Sequence, residues 1–312
     1  MKKLIYLPVC LGMLFFSAAC ENWFDVSPKS DVKAEDLFQQ ESGFRDVLTG
    51  VYSLMSAPES YGRQLSFGYV DVLAQYYNIS GNTHRYIKTK DYLYREPYDK
   101  EVLSTIWSRQ YKGIANLNAM LMFIDEQRGV FSGDEVYRIY KGEILALRGM
   151  LHFDMLRLFG PLTSELDKES IPYQTNSDQT VTPLLSGSEV VGLILDDLKN
   201  AVGLLKDTDP YFVEEEFSDT DLNYRRFRMN YFAAKGLMAR VQLWGGDKEK
   251  AAATAKEVIA EGQAEGAEFF PFVTNSEATS SNPDRVFYSE VLFGTYHSSR
   301  EKLHEDLFAP TL

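Results

Sequence analysis

Residues 142 to 162 read GEILALRGMLHFDMLRLFGPL, a stretch apolar on nearly every side of a helical projection. Only Glu143, Arg148, His152, Asp154 and Arg157 interrupt it. Its period predicts a helix from about Glu135 to Phe159. A helix that is apolar all round cannot face water, so other helices must enclose it. Gly160 and Pro161 stop it, because glycine accepts the left-handed cap and proline cannot continue the backbone bonding.

The flanking sequence supplies the enclosing helices. From Ser42, SGFRDVLTGVYSLM places Phe44, Val47, Leu48, Val51 and Leu54 or Met55 at amphipathic spacing. A second helix is predicted from about Val102 to Glu126, with Leu103, Ile106, Trp107, Ile114, Leu117, Leu121 and Ile124 in period and an end near Gly129. Thr163 to Ser188 is a loop rich in Ser, Thr and Asn, with Pro172 and Pro183, and helix returns from Glu189 to Lys206. Residues 207 to 224 are acidic and turn-like. Met229, Phe232, Ala233, Gly236, Leu237, Val241 and Trp244 then line one helical face. Gly245, Gly246 and Asp247 turn the chain, and Ala251, Ala255, Val258, Ile259 and Gly262 line the next. Small residues at Ala233, Gly236, Ala251 and Ala255 let the two helices approach in an antiparallel pair, similar to a tetratricopeptide hairpin over 228 to 262. The expected class is mainly all-α: such hairpins forming a superhelical scaffold that carries long irregular loops. RVFYSEVLFGTY, from Arg285, suits strand or extended loop.

The chain has 312 residues, 45% of them hydrophobic and 25% charged, enough for a sizeable packed core and too ordered in composition for a disordered chain. Its 45 acids against 32 Lys and Arg give a formal net charge of -13, which disfavours nucleic acid and anionic headgroups as partners. Residues 1 to 19 read as a secretory signal: Lys2 and Lys3 precede an uncharged run from Leu4 to Ala19. Ser17-Ala18-Ala19-Cys20 resembles the cleavage box of bacterial lipoproteins, so Cys20 is the expected lipidation site and residues 20 to 34 a lipid-anchored tether. The other cysteine, Cys10, lies inside the signal, so the exported body has no second thiol for an internal disulfide. Several acyl chains would hold the acidic body at a bilayer without a basic patch.

No phosphate loop, HExxH, GxSxG or paired-cysteine metal site occurs in the sequence. No catalytic residue, metal ligand or cofactor is therefore expected. His152, near Arg148 and Asp154, reads as a satisfied polar group inside a buried helix, and Asp154 with Arg157 as an i, i+3 ion pair. Glu214 to Glu216 with Asp219 and Asp221 lack EF-hand spacing and read as a solvated loop. Trp107 and Trp244 fall on apolar faces and read as core. One concentration stands out: eight of 19 tyrosines lie between Tyr61 and Tyr98, in a region that loses its period after Asn78. Tyrosine offers a flat apolar face with a hydroxyl at its edge, the combination that stacks on a sugar ring or a peptide side chain. Tyr76, Tyr77, Tyr86, Tyr92 and Tyr94 are the candidate ligand-binding residues.

Together these motifs resemble the SusD/RagB family of outer-membrane nutrient-binding lipoproteins. The resemblance is carried by Cys20 with Trp23, Phe24, Asp25, Val26 and Pro28, and by FRDVLTGVYSLM from Phe44. It continues in Trp107, Tyr111, Ile114, Asn116 and Asn118, in GEILALRGMLHFDMLRLFGPL, and in the hairpin from Met229 to Gly262. It implies one helical domain over 35 to 312, incomplete at its C-terminus because family members are longer. It implies a lipid-anchored place on the outer membrane, facing the cell exterior, as the lid of a SusC-like TonB-dependent transporter. The ligand would be an oligosaccharide, or in the alternative a peptide or other nutrient, held by aromatic loops and passed on without a bond being broken. A tetratricopeptide scaffold binding only protein is a further alternative.

Overall fold

The computed structural model describes residues 33–81, 83–178, 180–211, 220–264, 267–298 and 300–307. The signal segment, Cys20 and the tether up to residue 32 lie outside them, as do Glu214 to Glu216 and Asp219 of the acidic loop. The chain divides at Leu37. Among the described residues the first unit contains the four-residue helical turn Ala34–Leu37, and the unit from Phe38 onward is the helical body.

That body is built from α1 (Glu41–Ser56), α2 (Tyr69–Leu73), α3 (Pro97–Phe123), α4 (Asp134–Phe159), α5 (Gly187–Leu205), α6 (Tyr231–Trp244) and α7 (Lys248–Gly262). Successive long helices pack on one another in chain order, α3 on α4, α4 on α5, α5 on α6 and α6 on α7, with α1 against α3. This is the neighbour-to-neighbour packing of stacked helical hairpins. The all-α expectation holds. α3 starts earlier than its apolar period indicates because Pro97 occupies the first turn, where its missing N–H is no loss. α5 opens on a capping box, Ser186 accepting from the Glu189 backbone while the Glu189 carboxylate accepts from the Ser186 N–H at 2.8 Å.

α4 is enclosed as its sequence demands. Ile139, Ile144, Ala146, Leu147, Met155 and Leu156 have no measurable exposure. Glycines seat α5 against it: a Cβ on Gly142 would lie 2.7 Å from Leu205 Cγ, and one on Gly149 3.3 Å from Leu198 Cγ. The five polar side chains that interrupt the apolar stretch of α4 are spent on internal links. Arg148 forks onto Asp197 of α5 at 2.7 and 2.6 Å and donates to Asn118 Oδ1 of α3 at 3.1 Å. Asn118 in turn donates to the carbonyls of Gln174 and Asn176, so this cluster ties the Thr163–Ser188 loop to three helices. Arg157 pairs with Asp154 at 2.9 Å.

The hairpin differs in detail from its reading. Ala255 and Ile259 are exposed, and the inward stripe of α7 is Ala251, Thr254, Val258 and Gly262. Polar cross-links decide this register. Thr254 donates to Gln242 at 2.8 Å, and Lys235 of α6 reaches Glu261 at 2.8 Å and Glu257 at 3.0 Å. Gly236 does not face α7; its bare Cα lies against Leu292, 3.1 Å from where a Cβ would stand. RVFYSEVLFGTY forms a turn at Arg285–Val286, a 3-10 turn at Tyr288–Glu290 and otherwise irregular chain, with no strand. It is held to α6 by Asn230 Nδ2 donating to the Leu292 carbonyl at 2.7 Å. Strand pairing among the described residues is confined to Gln263–Ala264 with Ala267–Glu268 and an isolated antiparallel bridge between Glu169 and Ser186. No helix among the described residues is long and apolar enough to cross a membrane.

Candidate ligand-binding site

The tyrosine-rich region wraps around α2. Tyr69 and Tyr86 are buried, and the Tyr86 hydroxyl donates to Gln64 Oε1 at 2.9 Å. Burial, with the neighbouring Tyr98, pushes the Tyr86 phenol well above its ordinary pKa, so it stays protonated. Tyr76 is 75% exposed. Tyr77 is half-buried and donates to Asp71 at 3.2 Å. Tyr76, Tyr77 and Tyr86 line one recess of about 380 Å³, together with Phe67, Asn78, Ser80 and His84. An open aromatic face thus stands beside amide, hydroxyl and imidazole groups, the mixture that grips a polyhydroxylated ring by its face and its edges.

Tyr92 and Tyr94 do not line that recess. They stand nearly half exposed, their rings 6.3 Å apart. Tyr92 takes a positive φ of 58°, held by its own hydroxyl donating to the Leu73 carbonyl at 3.1 Å. A bond from Gln75 Nε2 to the Lys90 carbonyl at 2.9 Å further joins the two arms of the loop. Of the five candidates, then, Tyr76, Tyr77 and Tyr86 converge, and Tyr86 forms the floor.

A larger groove of about 840 Å³ lies where the sequence raised no flag. It runs between the C-terminal half of α1 and the segments around Phe227 and Tyr296. Tyr224 and Tyr296 are 64% and 65% exposed, and hydroxyls come from Thr49, Ser53 and Ser56. Beneath it sits a buried charge network. Glu143 of α4 accepts from Arg225 at 2.6 Å, from Arg228 at 2.9 Å and from the Tyr52 hydroxyl at 3.0 Å. Arg225 also forks onto Asp209. Burial, with the Glu143 charge added, pushes the Tyr52 phenol far up, fixing it as a donor to Glu143 while it accepts from the Met229 N–H at 2.8 Å. Nothing in the local sequence marks these residues as partners, since they lie up to 177 positions apart.

His152 is satisfied on both nitrogens: Nδ1 donates to the Arg148 carbonyl at 2.9 Å, and Nε2 accepts from the Gln174 N–H at 3.0 Å. That fixes a neutral ring, stacked on Tyr173 at 3.9 Å, with no proton to exchange. Trp107 is partly buried against Tyr111 and Phe159. Among the described residues no group of three His, Cys, Asp or Glu side chains could hold a metal ion.

A family model described as starch-binding, associating with the outer membrane, matches residues 22–243. The chain belongs to the SusD-like family. Solved structures share its fold. A SusD superfamily protein from Bacteroides vulgatus is 22% identical with a TM-score of 0.58, covering 75% of this SusD-like chain and 49% of its own. Another from Bacteroides thetaiotaomicron is 21% identical with a TM-score of 0.58, over 79% and 49%. A laminarin binding SusD-like protein is 20% identical with a TM-score of 0.57, over 77% and 48%. The SusD-like chain therefore spans about half the length of these solved relatives. Among curated proteins none matches it.

Proposed function

We propose that this SusD-like chain captures oligosaccharide at the cell surface, anchored through acylated Cys20, and passes it to a SusC-like TonB-dependent transporter in the outer membrane. Residues 1 to 19 act as the export signal and 20 to 34 as the tether. The observation that carries the ligand class is the recess in which the exposed Tyr76 face meets Asn78, Ser80 and His84. The starch-binding description of the family and the laminarin-binding neighbour point to the same chemistry. Capture and release need no nucleophile or general base, and the histidine deepest in the helical body is locked neutral in its own bonds.

Titration calorimetry with maltoheptaose and laminarihexaose tests this reading. Binding of at least one is expected, and Tyr76→Ala should weaken it by about tenfold, the scale of one lost aromatic stacking partner. Tyr224→Ala, in the larger groove, should change it by less than about twofold. Heat only from peptides would replace the glycan reading with the nutrient-peptide alternative.

A further inference from the structure

A third recess, of about 480 Å³, opens where the C-terminal ends of α4 and α6 meet the first residue of α7. We propose that it is an anion-selective sugar subsite, taking a carboxylated or sulfated unit of a glycan. The proposal rests on the glycan reading above for the sugar part of its ligand.

The chain carries a net charge of -13, yet among the described residues this wall holds Arg157, Arg240 and Lys248 and no carboxylate. Arg157 is already neutralised by Asp154, which is itself pinned by the Tyr61 hydroxyl at 2.7 Å. Arg240 and Lys248 have no acidic partner within 4.0 Å among the described residues. Two unneutralised cations facing one recess repel each other, and a bound anion removes that cost. The guanidinium of Arg240 also lies 5.9 Å from the Phe153 ring centroid, which presents its fork from a fixed aromatic support.

Trp244 supplies the second, independent observation. Its sequence position reads as core, but the indole is only partly buried and lines the recess. Its Nε1 is a buried donor with no hydrogen-bond partner among the described residues. Native proteins rarely leave such a donor unsatisfied. The Arg157 guanidinium lies 6.0 Å from the indole centroid, and Leu243 adds an exposed apolar surface. Thr163 and Ser164 supply hydroxyls at the rim. An indole, paired cations and hydroxyls match the three parts of an acidic sugar: its apolar face, its anion and its ring hydroxyls.

The three tryptophans give three indole N–H signals in a nitrogen-edited NMR spectrum, and Trp244→Phe assigns the relevant one. Glucuronate and glucose 6-sulfate are expected to shift the Trp244 signal, with glucose inactive. The sugar acid that shifts it further identifies carboxylate or sulfate as the preferred group. Arg240→Gln combined with Lys248→Gln should weaken the response about tenfold or more, and both side chains are exposed, so the fold remains. Three outcomes overturn the proposal: no shift with either acidic sugar, an equal shift with glucose, or an equal shift with sodium sulfate alone. Heat from maltoheptaose without any Trp244 response would sink this inference and leave the glycan reading standing. Absence of heat from every glycan would sink the reading itself.

Discussion

Single side chains inside this protein are set by what surrounds them. His152 has its pKa held down at about 3 from an ordinary 6.5, chiefly by burial, opposed by the Arg148 carbonyl and reinforced by the Arg148 charge. The unfolded chain therefore binds a proton that the fold refuses. Stability from this residue is complete above about pH 6.5 and is lost as pH falls toward 3, by up to about 1.4 kcal/mol per pH unit. Urea unfolding between about pH 7 and pH 5 should show a steeper loss in the native protein than in His152→Gln, and parallel slopes would refute the assignment. Glu143 is the second such residue, since it is fully buried and shared by two arginines. Glu143→Gln should cost about 3–5 kcal/mol by leaving buried guanidinium charge short of its partner. Glu165→Gln, which removes an exposed pair with Lys168, should cost less than about 1 kcal/mol in the same measurement.

At the scale of elements, the contact of α4 with α5 depends on residues that have no side chain. A methyl on Gly142 would meet Leu205 at 2.7 Å, closer than carbon atoms pack. Gly142→Ala is thus expected to destabilise by about 1–3 kcal/mol despite alanine's better helix propensity. Gly192, on the exposed side of α5, has nothing within 4 Å of its absent Cβ. Gly192→Ala should stabilise by about 0.5–1 kcal/mol, and thermal melts of the two variants should move in opposite directions. The hairpin shows the limit of periodicity at this scale. Ala251, Ala255, Val258 and Ile259 form a plausible apolar face, but Lys235 draws Glu257 and Glu261 across and turns α7 so that Thr254 faces inward instead of Ala255. An apolar count has no means of weighing two charge links from one buried lysine against one isoleucine.

For the whole molecule the expectation that matters most is where it resides. With Cys20 acylated, the protein should fractionate with the outer membrane and be accessible to protease from outside intact cells. Cys20→Ala should release it into the soluble fraction, because several acyl chains at about 0.8 kcal/mol per buried methylene are then lost. Unchanged membrane fractionation would remove the lipoprotein assignment without touching the fold.

The sequence by itself determined the helical class, the enclosed α4, the stop at Gly160 and the hairpin near Gly245, because each is a local matter of period, cap or turn. The cap at Gly160 is not the left-handed one its residue type suggests: φ is -85°, and glycine is required there because a Cβ would lie 2.5 Å from the Leu156 carbonyl oxygen. It also pointed at the tyrosine-rich loop, although it could not separate Tyr86, which is buried, from Tyr76, which is open. Tertiary structure alone decided that Glu143 would gather Tyr52, Arg225 and Arg228, and that Trp244 would line a basic recess instead of the core. Those arrangements join residues from distant segments, and their energy comes from burial and charge pairing that exist only once the helices have packed.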